Sequence, residues 1–241
     1  MKRTKIVATI SDKRCDVGFL KDLYEAGMNV VRLNTAHQTL DEAMKVVNNV
    51  RAVSKKIALL IDTKGPEVRT SGIEEPVRVE RGEVVYMSGD AGVKGGKMIH
   101  VSYSNFVRDV QVGAKVLIDD GDVEFIVKDK TEEYLVLVAS NPGEIKNKKS
   151  INVPGVNMHL ESLSDKDRTF IEFAVKNKLD FIAHSFVRNK EDVFQIQRIL
   201  DEHNSKIKII AKIENQEGVD HIDEILDHVY GVMVARGDLA I

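Results

Sequence analysis

The chain has 241 residues, of which 43% are hydrophobic and 30% charged, with a formal net charge of −3 and a single cysteine, Cys15. That length suits one barrel or two modest domains, and the near balance of charge argues against a basic nucleic-acid binder or an acidic solvating tail. One thiol excludes an internal disulfide or a Cys-based zinc site and agrees with a reducing compartment, and no apolar run is long enough to span a bilayer.

The basic start, Met1-Lys2-Arg3-Thr4-Lys5, leads through a short apolar run into Ser11-Asp12-Lys13-Arg14, so Lys5–Ile10 reads as a strand and not as a signal peptide. Val17–Ala26 has apolar Val17, Leu20, Leu23 and Tyr24 at helical spacing, and Gly27 supplies the stop. Asn29–Asn34 reads as a second strand. Thr39 followed by Glu42 has capping-box spacing for a second helix, and Ile57–Thr63 is a third strand. The βαβαβ order predicts a parallel sheet.

Between 71 and about 150 the pattern changes. This stretch holds nine of the 16 glycines. Short β-branched runs recur at Val77–Val79, Val84–Met87, Met98–Val101, Val116–Ile118, Val123–Val127 and Tyr134–Val138, which predicts a small antiparallel β domain. Asp119-Asp120-Gly121 reads as a hairpin turn, residues 88–97 as a flexible loop, and the basic run Lys146–Lys149 as a solvated loop or hinge. Alternation then resumes. Ser164 caps a helix through about Lys178, Phe181–Phe186 is a fourth strand, and Asn189 caps a helix ending near His203. Lys206–Asn215 is a fifth strand, Val219–Asp227 a helix, and Val232–Asp238 a sixth strand. The expected division is 1–70, first part of the β/α body; 71–151, the inserted β domain; 152–241, the continuation.

The strand tips carry the chemistry. Lys212 and Glu214 share a face of the fifth strand, Arg236 and Asp238 a face of the sixth, and Arg32 and Asn34 a face of the second. Gly65-Pro66 turns the chain after the third strand and sets Asp62 and Arg69 near the same rim. Carboxylates (Asp62, Glu214, Asp238) among cations (Arg32, Lys64, Arg69, Lys212, Arg236) suit a magnesium ion and phosphoryl transfer, where catalysis is mostly positioning and charge stabilisation. Each piece also has a plain reading. Lys-x-Glu is commonly a surface pair, Asp62–Pro66 could be only a turn, and Arg236-Gly237-Asp238 means little unless exposed. The seven histidines have no metal-ligand spacing.

Taken in order, the motifs Ala26–Asn34, Asp62–Thr70, Asp119–Gly121, Asn152–Gly155, Ser185–Arg188, Lys212–Asn215 and Ala235–Leu239 resemble those of the pyruvate kinase family. The resemblance implies a TIM-type β/α barrel interrupted after its third strand by a β-barrel lid, in a cytoplasmic enzyme that moves a phosphoryl group from phosphoenolpyruvate to ADP. It implies no nucleic-acid or membrane partner, and a homotetramer for the full-length enzyme. By resemblance, Glu214 and Asp238 hold Mg2+, Lys212 stabilises charge on the phosphoryl group and enolate, and Arg32 binds phosphate. Backbone N–H groups around Ala235, Gly237 and Asp238 hold the substrate carboxylate. Arg69, Lys149 and His37 contact the nucleotide. Asn34, Asp62 and the Thr63 carbonyl bind K+, and Glu67 matches members that need that ion.

Departures from the family pattern are Ala36 for a serine potassium ligand, Ser11–Arg14 for a Gly-Pro-rich turn, Gln38, Ser150 and Ala240 for glycines, and His184 for a small residue. Ile241 follows directly on the sixth strand, where the resemblance implies two further barrel strands and another domain, so the chain is expected to be a fragment with little turnover alone. Two other readings stay open. One is a magnesium-dependent pyruvate or phosphoenolpyruvate aldolase or lyase, which would not need the β insert. The other is a truncated ligand-binding product without catalysis.

Overall fold

A computed structural model describes residues 4–156 and 158–236. The first elements are β1 (Ile6–Thr9), α1 (Val17–Glu25), β2 (Met28–Asn34), α2 (Leu40–Val53) and β3 (Ala58–Asp62). Next come β4 (Val68–Ser71), β5 (Val77–Val79), β6 (Val84–Ser88), β7 (Met98–Val101), α3 (Phe106–Asp109), β8 (Lys115–Ile118), β9 (Val123–Lys130), β10 (Leu135–Ala139), β11 (Gly143–Ile145) and β12 (Ser150–Asn152). Last are α4 (Asp165–Lys176), β13 (Phe181–His184), α5 (Lys190–Glu202), β14 (Lys208–Ile213), α6 (Gln216–Asp220), α7 (Ile222–Leu226) and β15 (Gly231–Val234). Among the described residues, no helix is long and apolar enough to cross a membrane.

These elements form two compact units, one of residues up to Pro66 with Glu161–Arg236, the other Glu67–Leu160. In the first, six parallel strands run in the order β1-β2-β3-β13-β14-β15. Pairing aligns Arg32 with Leu60, Asn34 with Asp62, Asp62 with Ala183, and Ile210 with Ala183. Because side chains alternate, Arg32, Asn34, Leu60, Asp62, Ala183, Ile210 and Lys212 share one face. The opposite face, with Val31, Leu33, Leu59, Ile61, Ile182, Ile209 and Ala211, joins the helices in one core around Phe170, Leu20 and Ile57. Two capping boxes start the helices that cover it, Thr39 with Glu42 on α2 and Ser164 with Asp167 on α4. The expected single helix over Val219–Asp227 is instead two short ones. Asn215 Oδ1 accepts from the Gly218 N–H at 2.7 Å and starts α6 early, and His221 leaves helical geometry before α7.

The second unit is a closed seven-stranded barrel in the order β10-β6-β7-β4-β12-β8-β9, with β11 paired to β5 beside it. All its described strand pairs are antiparallel except β6 with β7. Phe106, Phe125, Met87, Ile99 and Ile118 fill its interior. Asp119 and Asp120 both take φ of 55°, an αL conformation that aspartate tolerates, and close the β8–β9 hairpin. This unit begins before residue 71 because β4 pairs with β7 and β12, and it extends past 151 because Val153, Val156, Met158 and Leu160 pack on its core.

Asp109, at the end of α3, has a side chain only 6% exposed. Burial alone would raise its carboxyl. Donation from the Tyr103 hydroxyl, Arg108 and the His159 N–H outweighs burial and holds it at about 2. A carboxyl lowered on folding stabilises the native state above its unfolded pKa, and that stability is lost as pH falls from about 4 towards 2. Asp109→Asn is therefore expected to destabilise this unit by on the order of 1–2 kcal/mol at neutral pH and to remove that acid-limb loss, read by urea titration against pH. A parallel acid limb in the variant would count against the pairing.

Candidate active site at the tips of the parallel strands

Four charges alternate in sign across the C-terminal ends of β2, β3 and β14. Arg32 donates from Nε to Asp62 Oδ2 at 2.6 Å, pairs with the same oxygen through Nη2, and donates from Nη1 to Thr9 Oγ1 at 3.0 Å. Asp62 Oδ1 lies 3.2 Å from Lys212 Nζ, which lies 3.0 Å from Glu214 Oε1. Asp62, Lys212 and Glu214 are buried, at 2%, 9% and 4% exposure. A lone buried charge here would be costly, and each of these charges faces an opposite one. Three acceptors meet the three donors of the Lys212 ammonium, the third being Ser185 Oγ at 2.7 Å.

Ser185 was not among the candidates read from the sequence. It lies one residue past β13, two on from Ala183, so alternation places it on the charged face. No local signal says that its hydroxyl reaches Lys212. It also donates to the Thr63 carbonyl at 2.6 Å, and its N–H donates to Thr63 Oγ1 at 3.0 Å. The next residue, Phe186, turns out of the strand with φ of 55°, and its N–H donates to Glu214 Oε2 at 2.7 Å. This turn ends the fourth strand at His184, short of the expected Phe186.

Other candidates fall into place unevenly. Asn34 is register partner to Asp62, and its Oδ1 accepts from the Ala36 N–H at 3.1 Å. Thr63 follows directly, and its N–H donates to the Ala183 carbonyl. His37 is exposed in the turn after β2. The Ala235 N–H donates to the Ile213 carbonyl at 3.3 Å. Gly237 and Asp238 lie outside the described residues.

Arg69 and Lys149 belong to the β-barrel unit. Arg69 forms a two-pronged pair with Glu67, 2.7 Å for each bond, and donates to the Lys148 carbonyl. Lys149 Nζ lies 2.6 Å from Asp119 Oδ2, and its N–H donates to Thr70 Oγ1. The basic run is therefore tied to the barrel through Lys149. Ser150, the residue in a common glycine position, exchanges hydrogen bonds with Asp120.

His184 faces away from the charged cluster, with Nδ1 3.4 Å from Thr63 Oγ1 and no partner on Nε2. Burial pushes its imidazole down to about 4, so the ring is neutral at neutral pH.

The donor set suits hard cations. Glu214 and Asp62 offer carboxylate oxygens at the strand tips, and among the described residues no three His, Cys, Asp or Glu side chains gather into a cage. An ion held by one or two carboxylates, with water and substrate oxygens completing its shell, is the habit of magnesium. Asn34 Oδ1 and the Thr63 carbonyl each accept one bond here and keep a second lone pair for a monovalent ion.

A family model described as pyruvate kinase, barrel domain, matches residues 1–241. The chain is 53% identical over 241 residues to a pyruvate kinase of Borreliella burgdorferi, covering all of this chain and 50% of that protein. It is 42% identical over 248 residues to a pyruvate kinase of Staphylococcus aureus strain MRSA252, covering 100% of this chain and 42% of the other. A crystal structure of a pyruvate kinase from Cryptosporidium parvum superimposes with a TM-score of 0.93 at 38% identity, covering 98% of this chain and 51% of that one. The chain thus spans about half the length of the curated relatives it matches. The six-stranded parallel sheet is the corresponding part of a β/α barrel, with the closed β-barrel inserted after its third strand, and the chain belongs to the pyruvate kinase family.

Proposed function

We propose that the protein transfers a phosphoryl group from phosphoenolpyruvate to ADP, giving pyruvate and ATP. The observation that carries this reading is the buried Lys212 ammonium, held by Asp62, Glu214 and Ser185 at the open ends of parallel strands. In the reaction the bond from phosphorus to the enol oxygen breaks, an oxygen of the ADP terminal phosphate bonds to phosphorus, and the enolate takes up a proton. Negative charge grows on the equatorial phosphoryl oxygens and the enolate oxygen, and a fixed ammonium in a water-poor site stabilises both. Arg32, oriented by Asp62 and Thr9 and with a side chain 30% exposed, would bind the phosphate. Glu214 and Asp238 would hold Mg2+, and Asn34, Asp62 and the Thr63 carbonyl would hold K+; when bound, the ions neutralise phosphate and carboxylate charge. Arg69, Lys149 and His37 are the groups proposed for the nucleotide, and the backbone around Ala235, Gly237 and Asp238 for the substrate carboxylate. A glycolytic role in the cytoplasm, and a homotetramer for the full-length enzyme, belong to the same reading.

Titration with phosphoenolpyruvate and Mg2+ tests binding, and a coupled assay for ATP with ADP and K+ tests chemistry. Binding that requires Mg2+, with ATP formed, supports the proposal. Carbon–carbon cleavage without nucleotide would replace it by a lyase, and binding without ATP by a non-catalytic role. Ala36→Ser adds a hydroxyl beside Asn34 Oδ1, which already accepts from the N–H of residue 36. It is expected to lower the K+ concentration for half-activation several-fold, and a flat response would remove this turn from the potassium site.

A further inference from the structure

We infer that the Ser185–Phe186 turn is a positioning device that aims both charged groups of the site at once, Lys212 through the Ser185 hydroxyl and Glu214 through the Phe186 N–H. The inference rests on the reading that Lys212 and Glu214 serve phosphoryl transfer. Lysine has a long, flexible stem, and with two carboxylates alone its ammonium could slide along the line between them. Ser185 Oγ is a third, uncharged point of attachment at 2.7 Å, itself anchored to the Thr63 carbonyl at 2.6 Å and 3.3 Å from Asp62 Oδ1. Its proton goes to the Thr63 carbonyl, which leaves its lone pairs for the ammonium.

The backbone holds the geometry. Phe186 occupies the left-handed region, a conformation rare for a bulky residue and retained where surroundings over-determine it. That turn points the Phe186 N–H at Glu214 Oε2, leaving Oε1 to Lys212. Gly65, at φ of 71°, packs beneath it. A Cβ there would lie 2.8 Å from Ser185 Cβ and 3.0 Å from the Ser185 carbonyl oxygen. Glycine at 65 is what lets the chain after β3 approach closely enough for the Thr63 carbonyl to meet Ser185.

Two variants in the full chain test this. Ser185→Ala is expected to lower kcat about tenfold while the KM for phosphoenolpyruvate and the Mg2+ activation constant stay within about twofold, because a small misplacement of a catalytic group slows chemistry without removing binding. Gly65→Ala pushes the whole turn, so kcat should fall and the Mg2+ constant should rise together. A Ser185→Ala enzyme with wild-type kcat would overturn the inference while leaving the activity intact. Equal loss of kcat and Mg2+ affinity in that variant would overturn it as well, showing general disruption. Wild-type protein that binds phosphoenolpyruvate but forms no ATP would instead bring down the underlying reading. If Gly65→Ala does not fold, Ser185→Ala still decides the matter.

Discussion

Replacing Lys212 with Met is expected to lower kcat by about 1,000-fold, some 4 kcal/mol of transition-state stabilisation, with the KM for phosphoenolpyruvate changed far less. The methionine keeps most of the apolar stem of the lysine and removes the ammonium with its charge and donors. Asp62 keeps its pair with Arg32, and Glu214 keeps the Phe186 N–H, so the strand tips retain partners after the change. What disappears is a cation fixed where charge develops. Because Lys212 is buried, at 9% exposure, bulk water does not replace it. Steady-state kinetics with saturating ADP, Mg2+ and K+ give the answer. Turnover within tenfold of the wild type would show that the lysine is a structural counter-ion to Asp62 and Glu214 and no more.

Glu214→Gln is expected to raise the Mg2+ concentration for half-activation by about 10–100-fold, the scale of loss when a ligand or its support is removed from a metal site. The amide is the same size, so packing at this 4% exposed position is preserved. Its oxygen can still accept from the Phe186 N–H, but its NH2 group then meets the Lys212 ammonium, donor against donor. The variant thus loses an anionic ligand and turns an attractive contact into a repulsive one. Mg2+ titration of activity, or of phosphoenolpyruvate binding, reads the change. A titration curve that overlays the wild type would exclude Glu214 as a ligand.

The two predictions separate the roles within one cluster. Lys212 should move kcat, Glu214 should move the metal constant, and Ser185 should move kcat mildly through Lys212. Arg32 and Asp62 are less cleanly separable, because removing Asp62 takes a partner from both Arg32 and Lys212, and removing Arg32 leaves the buried Asp62 to Lys212 alone.

Much of the architecture is legible along the chain because it follows local rules. Helical spacing in Val17–Ala26 and the capping box at Thr39 mark elements that appear within a residue or two, as Val17–Glu25 and Leu40–Val53. Six of the short strands in the inserted unit stand out as β-branched runs. β4, β11 and β12 do not, since Val68–Ser71, Gly143–Ile145 and Ser150–Asn152 carry no β-branched run and are strands only through partners far away in sequence. The same limit applies to the Ala235 N–H, which donates to the Ile213 carbonyl.

The parity of the site is written along the chain: alternation along a strand puts Arg32 with Asn34 and Lys212 with Glu214 on one face, and this needs no knowledge of neighbouring strands. The order of charges comes from the fold, because the register of β2, β3, β13 and β14 sets Asp62 between Arg32 and Lys212. The fold alone also brought in Ser185 and Phe186. A hydroxyl or a backbone N–H carries no pattern along the chain, and its role comes from the long-range contact that gives it a partner.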